Sequence, residues 1–255
     1  MKWLPKQWIV LFGGAGRERC LVALTDYGAS VEKVVVPDAQ SEKLASAVKN
    51  IEHLGFNVVT VSRNGLANEL TAPSKSGLLS VGFPYIIPEQ LLQIYKIALN
   101  IHPAPLPKYR GPTTGAYLLI NDEKFSGATV HLMTGDADMG PIVRQSKVVV
   151  GPFDTIRSVQ RKVYESEPNL LLAALKDLDA GVEPVVQDES RASAFLRRRT
   201  PDDSQIDPAL PLQDLINQIR ACDPEEFPAY FIYYGEKVCI KFWRPVRDPL
   251  NPESI

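Results

Sequence analysis

The chain has 255 residues, 45% of them hydrophobic and 23% charged, with a formal net charge of −2, so no basic excess is available to hold a nucleic acid. Three cysteines without CxxC spacing and three scattered histidines exclude a disulfide framework and argue against any metal site. Since no apolar run reaches about 18 residues and no signal peptide is recognisable, we expect a cytoplasmic protein that does not bind membranes.

Short apolar runs alternate with amphipathic segments through the first hundred residues. Strands are predicted at 8–12, 31–36, 57–61, 77–81 and 98–101, and helices at 17–24 and 41–51, the latter capped by Ser41. Strands that are apolar throughout and alternate with helices indicate a parallel sheet covered on both faces. We therefore expect a doubly wound α/β fold with a mainly parallel sheet.

The second half begins with two longer predicted strands, 127–133 and 142–150, followed by a helix from Thr155 with a kink or break at Pro168. A connecting segment spans 181–209, a short amphipathic helix follows near 212–219, and a β-hairpin is predicted around Gly235 and Glu236. These patterns divide the chain into a core at 1–189 and a C-terminal region at 190–255 with a linker, a helix and a hairpin.

Asn100 and His102 follow a buried strand, at the edge where open α/β sheets bind ligands. Two residues apart on an extended backbone, their side chains point the same way. An amide donor beside an imidazole can bind one carbonyl oxygen and carry a proton. Taken alone, such a pair is more often a turn-capping asparagine and a hydrogen-bonded core histidine than a pair of catalytic residues.

A second polar group, Asp136 and Asp138, lies in the loop between the two longer strands. An Asp- and Gly-rich loop is usually an ordinary turn. Only convergence with Asn100 and His102 would favour a chemical role, because a carboxylate can orient an imidazole. For His131, on the first of these strands, a packing or hydrogen-bonding role is favoured.

Three motifs carry a resemblance to a known family. They are GFPYIIP at 82–88, NIHPAPLPKYRG at 100–111, and GATVH at 127–131 followed by DMGPI at 138–142. Their order and spacing resemble the folate-dependent formyltransferases, over residues 77–142. The first 75 residues are similar only as a generic α/β half.

The resemblance implies N10-formyltetrahydrofolate as formyl donor and a neutral amine as acceptor, with no metal. Asn100 would donate to the formyl oxygen as it gains charge, and removing such a donor typically costs about 10²–10³ in rate. His102 would stabilise the same oxygen or relay protons, and Asp138 would orient His102 or a water and help deprotonate the amine.

Two loops are candidates for the folate ring, although core packing explains them equally well. They are Phe83, Pro84, Tyr85, Ile86 and Ile87 in the first motif, and Met133, Thr134, Gly135, Asp136 and Ala137 before the aspartate.

The remaining segments bear on which amine accepts the formyl group. Gly13 and Gly14 end a strand and open a helix, where backbone N–H groups can meet phosphate, but the loop lacks the GxGxxG spacing of dinucleotide sites. The following Gly16, Arg17 and Glu18 depart from the Gly-Ser-Asn loop of the glycinamide ribonucleotide enzymes. A tRNA substrate is disfavoured, because the tail is short and the chain carries no net positive charge.

The tail, at 199–207, 219–223 and 227–230, is similar to that of sugar-nucleotide N-formyltransferases. This resemblance implies a nucleotide-linked amino-dideoxy sugar as acceptor and a product that enters a surface polysaccharide. Candidate nucleotide contacts are Lys108, Tyr109, Arg110 and Gly111, with a solvated basic turn as the alternative. Such enzymes are commonly dimers, so we expect a homodimer that uses the aromatic hairpin at 229–243.

Three alternatives stay open. The first is formylation of another amine, glycinamide ribonucleotide or methionyl-tRNA, and the second is hydrolysis of formyltetrahydrofolate. A non-catalytic folate or nucleotide module is the third, although all three candidate catalytic residues are present.

Overall fold

The computed structural model describes residues 4–71, 75–245, 249–250 and 252–254. Its strands are β1 Gln7–Phe12, β2 Ser30–Pro37, β3 Val58–Val61, β4 Gly77–Val81, β5 Ile97–His102, β6 Phe125–Ser126, β7 Thr129–Leu132, β8 Ile142–Gln145, β9 Val148–Val149, β10 Ala229–Tyr233 and β11 Glu236–Ile240. Its α-helices are α1 Arg19–Asp26, α2 Glu42–His53, α3 Leu66–Glu69, α4 Glu89–Leu92, α5 Thr114–Ile120, α6 Ile156–Asp179 and α7 Leu212–Arg220.

Seven strands form the central sheet in the order β3-β2-β1-β4-β5-β7-β8. The five strands from β3 to β5 are parallel, and β7 and β8 continue the sheet antiparallel. The strand order reverses between β1 and β4, so their carboxyl ends border the crevice typical of such folds. The expected mainly parallel, doubly wound sheet is confirmed.

Apolar side chains cover both faces of this sheet. Residues of α1, α2, α5 and α6 pack against one face of the sheet. They form the larger cluster, which includes Leu99 and Ile101 of β5. The short helices α3 and α4 contribute Leu66 and Leu92 to the cluster on the opposite face, which includes Ala98 of the same strand. Because side chains alternate along a strand, Asn100 and His102 belong to the face of Ala98.

Two predicted elements differ from the structure. The helix over Pro168 is continuous from Ile156 to Asp179, with Val163 before the proline and Leu170 and Leu171 after it all buried, so the predicted break is absent and a kink stays a prediction. The predicted strand 142–150 is divided, since Ser146 exchanges hydrogen bonds with Ala128 (2.9 Å each) and the chain then pairs with β6. Ser41 caps α2 as predicted, with its hydroxyl accepting from Leu44 N at 3.2 Å.

The C-terminal region packs around its own small cluster, with Ile206, Leu215, Ile219, Cys222 and Ala229 at its centre. In the β10–β11 hairpin Tyr233 pairs with Glu236, so the two-residue turn is Tyr234-Gly235, one position earlier than predicted. Both turn residues have positive φ (47° and 84°), the geometry that matches the twist of paired strands. The division at residue 189 stays a prediction.

Candidate active site

Asn100 and His102 lie near the carboxyl end of β5. In the register of the sheet Asn100 is flanked by Ser80 of β4 and by His131 of β7. His102 and His131 are buried, whereas Asn100 is partly accessible. The antiparallel β7 therefore brings a second histidine beside the predicted pair.

Asp138 joins this group from the loop between β7 and β8. One carboxylate oxygen, Oδ1, lies 3.3 Å from Asn100 Nδ2 and 3.3 Å from His102 Nδ1. The other, Oδ2, accepts a hydrogen bond of 2.9 Å from the backbone N–H of Gly111. The structure thus brings together the three side chains that the sequence identified, and the catalytic role of each stays a prediction.

His131 orients the Asn100 amide. Its Nδ1 lies 2.8 Å from the carbonyl oxygen of Leu132, which only accepts, so Nδ1 carries the hydrogen of the neutral ring. His131 Nε2 then accepts from Asn100 Nδ2 at 3.0 Å. The two amide hydrogens of Asn100 accordingly point at His131 and at Asp138. The hydrogen-bonding role expected for His131 is confirmed.

His102 faces two acceptors. Its Nε2 lies 2.8 Å from the carbonyl oxygen of Tyr109, and its Nδ1 faces Asp138. Burial lowers the pKa of His102, against the opposing effect of Asp138 and the Tyr109 carbonyl. The neutral ring that results has one hydrogen for two acceptors, so one nitrogen remains able to take up a proton. The imidazolium formed in this way would find both acceptors in place.

Asp138 stays ionised throughout the neutral range. Burial raises its pKa, but the nearby His102 and the hydrogen bond from the Gly111 N–H oppose that effect, and the pKa falls to about 2. Its backbone is left-handed, with φ +59°, a conformation that Asp adopts more readily than most residues. The end of the loop passes close to β7. A Cβ on Gly140 would lie 1.8 Å from the carbonyl oxygen of Leu132, so only glycine fits there.

The two candidate folate loops lie along the same face of the sheet. Phe83, Tyr85 and Met133 all pack against the cluster that contains Ala98, and Ile87 is part of it. A Cβ on Gly135 would lie 3.2 Å from a carboxylate oxygen of Glu89, so the second loop meets the start of α4. Pro84, Ile86, Gly135 and Asp136 are exposed, while Thr134 and Ala137 are half-buried.

A cavity of about 610 Å³ opens beside these loops. Its walls include Glu89, Leu92, Ala98, Leu132 and Met133. Ala98 is two residues before Asn100 on the same face of β5, about 7 Å away along the strand. The other walls lie at the amino-terminal end of β5 and just after α6, at 95–97 and 178–184, so the cavity approaches the polar group only through Ala98 and is not lined by Asn100, His102 or Asp138.

The glycine loop after β1 is filled by the protein itself. A Cβ on Gly13 would lie 2.6 Å from the carbonyl oxygen of Gly82, and one on Gly14 would lie 2.7 Å from Arg17 Cδ. Close packing thus accounts for both glycines without a ligand, and a role in substrate binding stays a prediction.

Arg17 was not identified from the sequence as a site residue. It is buried, forms an ion pair of 2.6 Å with Glu167 of α6, and donates a 2.9 Å hydrogen bond to the carbonyl oxygen of Ile101. Arg17 therefore holds the backbone between Asn100 and His102. A lone arginine after a glycine loop carries no signal of this contact, since Glu167 lies 150 residues away.

The candidate nucleotide contacts at 108–111 separate into two groups. Lys108 is exposed, with its Nζ 3.3 Å from Glu123. Tyr109, Arg110 and Gly111 are buried, and Arg110 is bound by Gln187 and Glu189. The expectation that Arg110 is free to meet a diphosphate disagrees with this burial, because the basic turn is covered by the segment 187–196.

Two further residues near the site went unnoticed because they lie in the segment interpreted as a linker. Gln187 is buried and reaches the Asp138 loop. Phe195 is 58% exposed, and a Cβ on Gly111 would lie 2.9 Å from its ring. The sequence signal in this region was a single phenylalanine in a polar and charged segment.

Among the described residues no group of three or more His, Cys, Asp or Glu side chains could hold a metal ion. A membrane-crossing helix is likewise not found in the part of the chain that the structure describes.

The fold and the converging polar side chains define an α/β enzyme with its site at the carboxyl edge of the sheet. The profile of the family described as "Formyl transferase" matches residues 30–175, more than half of the chain. The chain belongs to this family of formyltransferases.

Solved structures agree with this assignment at the level of the fold. A 4-N formyltransferase from Francisella tularensis superposes with a TM-score of 0.76 at 20% identity, over 93% of this chain and 97% of that one. A sugar N-formyltransferase from a Shewanella species gives 0.71 at 22% identity, over 95% and 98%. An N-formyltransferase from Helicobacter canadensis, in complex with folinic acid and dTDP-3-aminofucose, gives 0.71 at 19% identity, over 92% and 86%.

Proposed function

We propose that this protein transfers the formyl group of N10-formyltetrahydrofolate to the amino group of a nucleotide-linked amino-dideoxy sugar. The observation that carries the proposal is the convergence of Asn100 and His102 on Asp138 at the carboxyl end of β5. The acceptor class is supported by the tail motifs and by the dTDP-3-aminofucose bound to the similar Helicobacter canadensis enzyme.

The folate ring fits the cavity by the chemistry of its walls. Leu92, Ala98, Leu132 and Met133 supply apolar surface for a flat ring, and the Glu89 carboxylate can accept from ring amino groups. When bound, N10-formyltetrahydrofolate supplies the formyl carbon. Since Ala98 and Asn100 share one face of β5, a ring in this cavity can direct its formyl group toward Asn100.

Asn100 stabilises the charge that develops on the formyl oxygen. Its amide N–H toward Asp138 is the longer of its two contacts, 3.3 Å against 3.0 Å to His131, and is the one that can be exchanged for the formyl oxygen. His131 keeps the amide oriented during this exchange. A preoriented donor of this kind needs no reorganisation during the reaction.

Asp138 and His102 remove the proton of the amine after it attacks. The ionised Asp138 lies between Asn100 and His102, so a proton from the amine passes through its carboxylate or a bound water to His102. The imidazolium is then stabilised by Asp138 and by the Tyr109 carbonyl. The same proton returns to the folate nitrogen as its bond to the formyl carbon breaks, which leaves His102 neutral again.

The remaining features of the proposal concern the cellular setting. The protein works in the cytoplasm as a homodimer, and the formylated sugar enters a surface polysaccharide such as O-antigen.

The exposed Lys108 and Phe195 are groups near the site that can bind the nucleotide, Lys108 at a phosphate and Phe195 at the base.

The test is incubation with N10-formyltetrahydrofolate and a panel of nucleotide-linked amino-dideoxy sugars, read by mass spectrometry. One panel member is expected to gain one formyl group, and Asn100→Ala is expected to abolish most of that gain. Glycinamide ribonucleotide, methionyl-tRNA and water serve as competing acceptors in the same assay. Formylation of one of these in place of every sugar, or folate binding without turnover, would refute the proposal.

A further inference from the structure

Gln187 lies in the segment between α6 and α7 and is 6% exposed. Its Nε2 donates two hydrogen bonds of 2.8 Å, to the carbonyl oxygens of Asp138 and Gly140. Its Oε1 accepts from Arg110 Nε at 3.1 Å and from Arg110 Nη2 at 2.8 Å. Every hydrogen-bonding position of the amide is therefore occupied.

The orientation of this amide is fixed by its partners. The two carbonyl oxygens only accept and the Arg110 guanidinium only donates, so a flipped amide would lose all four bonds. Arg110 is itself held by Glu189, with contacts of 2.9 and 2.6 Å. Gln187 is thus a rigid connection between the loop after β5 and the loop after β7.

Asp138 depends on support of this kind. Its left-handed backbone, φ +59°, costs roughly 1–2 kcal/mol for a residue other than glycine. The carboxylate meets His102 and Asn100 only from this backbone position, and Gly111, next to Arg110, holds its second oxygen. Gln187 contacts the backbone of Asp138 directly but none of the three polar side chains of the site.

We propose that Gln187 is a positioning residue, which holds the Asp138 backbone so that the carboxylate meets His102 and Asn100. The kinetic part of this inference rests on the formyl transfer proposed above, whereas its spectroscopic part does not need a substrate.

The sharpest variant is Gln187→Glu, which keeps size and shape. A carboxylate oxygen would face the carbonyl oxygens of Asp138 and Gly140 without a hydrogen between them, and its charge would repel their partial negative charges, so the loop must move. A displacement of about 1 Å can cost about 10² in rate, so kcat should fall by about 10–10². KM values for folate and sugar should change by less than about threefold, because Gln187 is not proposed to touch either ligand.

The second readout is the His102 ring, followed by ¹⁵N NMR in a chain with only three histidines. Displacement of Asp138 should change the His102 ring shifts in Gln187→Glu and in the uncharged Gln187→Met. Since Asp138 raises the pKa of His102, Gln187→Met should also move the His102 titration to lower pH. Gln40→Glu is the matched control, since Gln40 Nε2 also donates to a backbone carbonyl, that of Pro37 at 3.0 Å. Gln40 follows β2, three strands from β5, and neither readout should change there.

A folded Gln187→Glu protein with kcat within about twofold of wild type would overturn the proposal. So would unchanged His102 signals, whatever the rate. If this variant does not fold, Gln187→Met, which removes the donors without adding charge, carries the same two readouts. If no amine on the panel is formylated, the proposed function fails and the NMR titration still decides the role of Gln187.

Discussion

His102 and Asp138 share the electrostatic work of the site. A buried imidazole resists protonation, whereas a carboxylate at 3.3 Å and a carbonyl at 2.8 Å favour the protonated ring. The net effect of burial lowers the pKa of His102 and the pKa of Asp138 falls to about 2. At neutral pH the pair is therefore a neutral base beside an anion, ready to accept one proton.

Replacing each polar side chain should reduce the rate of formyl transfer. Asn100→Ala, His102→Ala and Asp138→Ala should each lower kcat by about 10² or more, because each removes a donor or a proton carrier. Combined changes should cost far less than the product of the single effects, since the three act as a unit. Steady-state kinetics on the formylated sugar, with exposed His53→Ala as control, checks this. A His102→Ala enzyme with near-normal turnover would exclude the proposed proton transfer.

The titration of His102 tests the balance between burial and its carboxylate partner. A pKa below the ordinary value of 6.5 means that the ring stays neutral to lower pH in the folded chain than in the unfolded one. Stability contributed by the neutral ring is therefore lost as pH falls below the unfolded value. Asp138→Asn removes the partner that raises the pKa, so the His102 titration should move further down. A titration by NMR from about pH 8 down to about pH 4 measures this, and an upward movement would contradict the assignment.

At the scale of elements, α1 and α6 pack against the face of β5 opposite Asn100 and His102. Arg17, just before α1, reaches Glu167 of α6 and the Ile101 carbonyl, and all three groups are buried. The ion pair therefore connects two helices to the backbone that carries Asn100 and His102. Burial of a pair costs desolvation, so we assign it this geometric role and no large net stabilisation.

Breaking the pair should destabilise the fold. Glu167→Ala leaves the Arg17 charge buried without a partner, which typically costs about 3–5 kcal/mol of the free energy of unfolding. Arg17→Met with Glu167→Leu removes both charges and should recover most of that loss. Urea denaturation measures both. The partly exposed Lys33–Glu69 pair is the control, since Glu69→Ala should cost no more than about 1 kcal/mol. An equal loss in the single and double variants would show that packing, not charge, dominates.

At the scale of the whole molecule, the C-terminal hairpin leaves large aromatic side chains uncovered. Tyr234 in the turn is 91% exposed, and its ring lies 4.6 Å from that of Tyr233, which is 57% exposed. Trp243, beyond the other end of the hairpin, is 68% exposed. Exposed aromatic groups that lie near one another are typical of protein interfaces. This arrangement supports the expectation of a homodimer built on the hairpin.

Light scattering tests the assembly. The protein should have the mass of a dimer at micromolar concentration, and Tyr234→Glu with Trp243→Glu should shift it to a monomer, because two charges would enter an apolar interface. Phe125→Glu, at an exposed aromatic residue of β6, is the matched control and should leave the dimer intact. A wild-type monomer would refute the prediction.

The sequence by itself determined the alternating α/β pattern, the strand that carries Asn100 and His102, and the family. These follow from local signals, because apolar runs, caps and the spacing NIHPAPLPKYRG are readable within a few residues. The Ser41 cap and the hairpin were predicted for the same reason. The hairpin turn was misplaced by one residue, because Tyr234 adopts a positive φ and tyrosine is not a residue type that indicates this conformation.

Only the tertiary structure decided which residues surround the site. His131 meets Asn100 through strand pairing, Arg17 meets Glu167 across 150 residues, and Gln187 reaches Asp138 from a segment that is polar and irregular in sequence. It also determined that Arg110, which by sequence belongs to an open basic turn, is buried under that segment. Such contacts have no local signature, because the free energy of a buried hydrogen bond depends on groups that are distant along the chain and close only in the folded state.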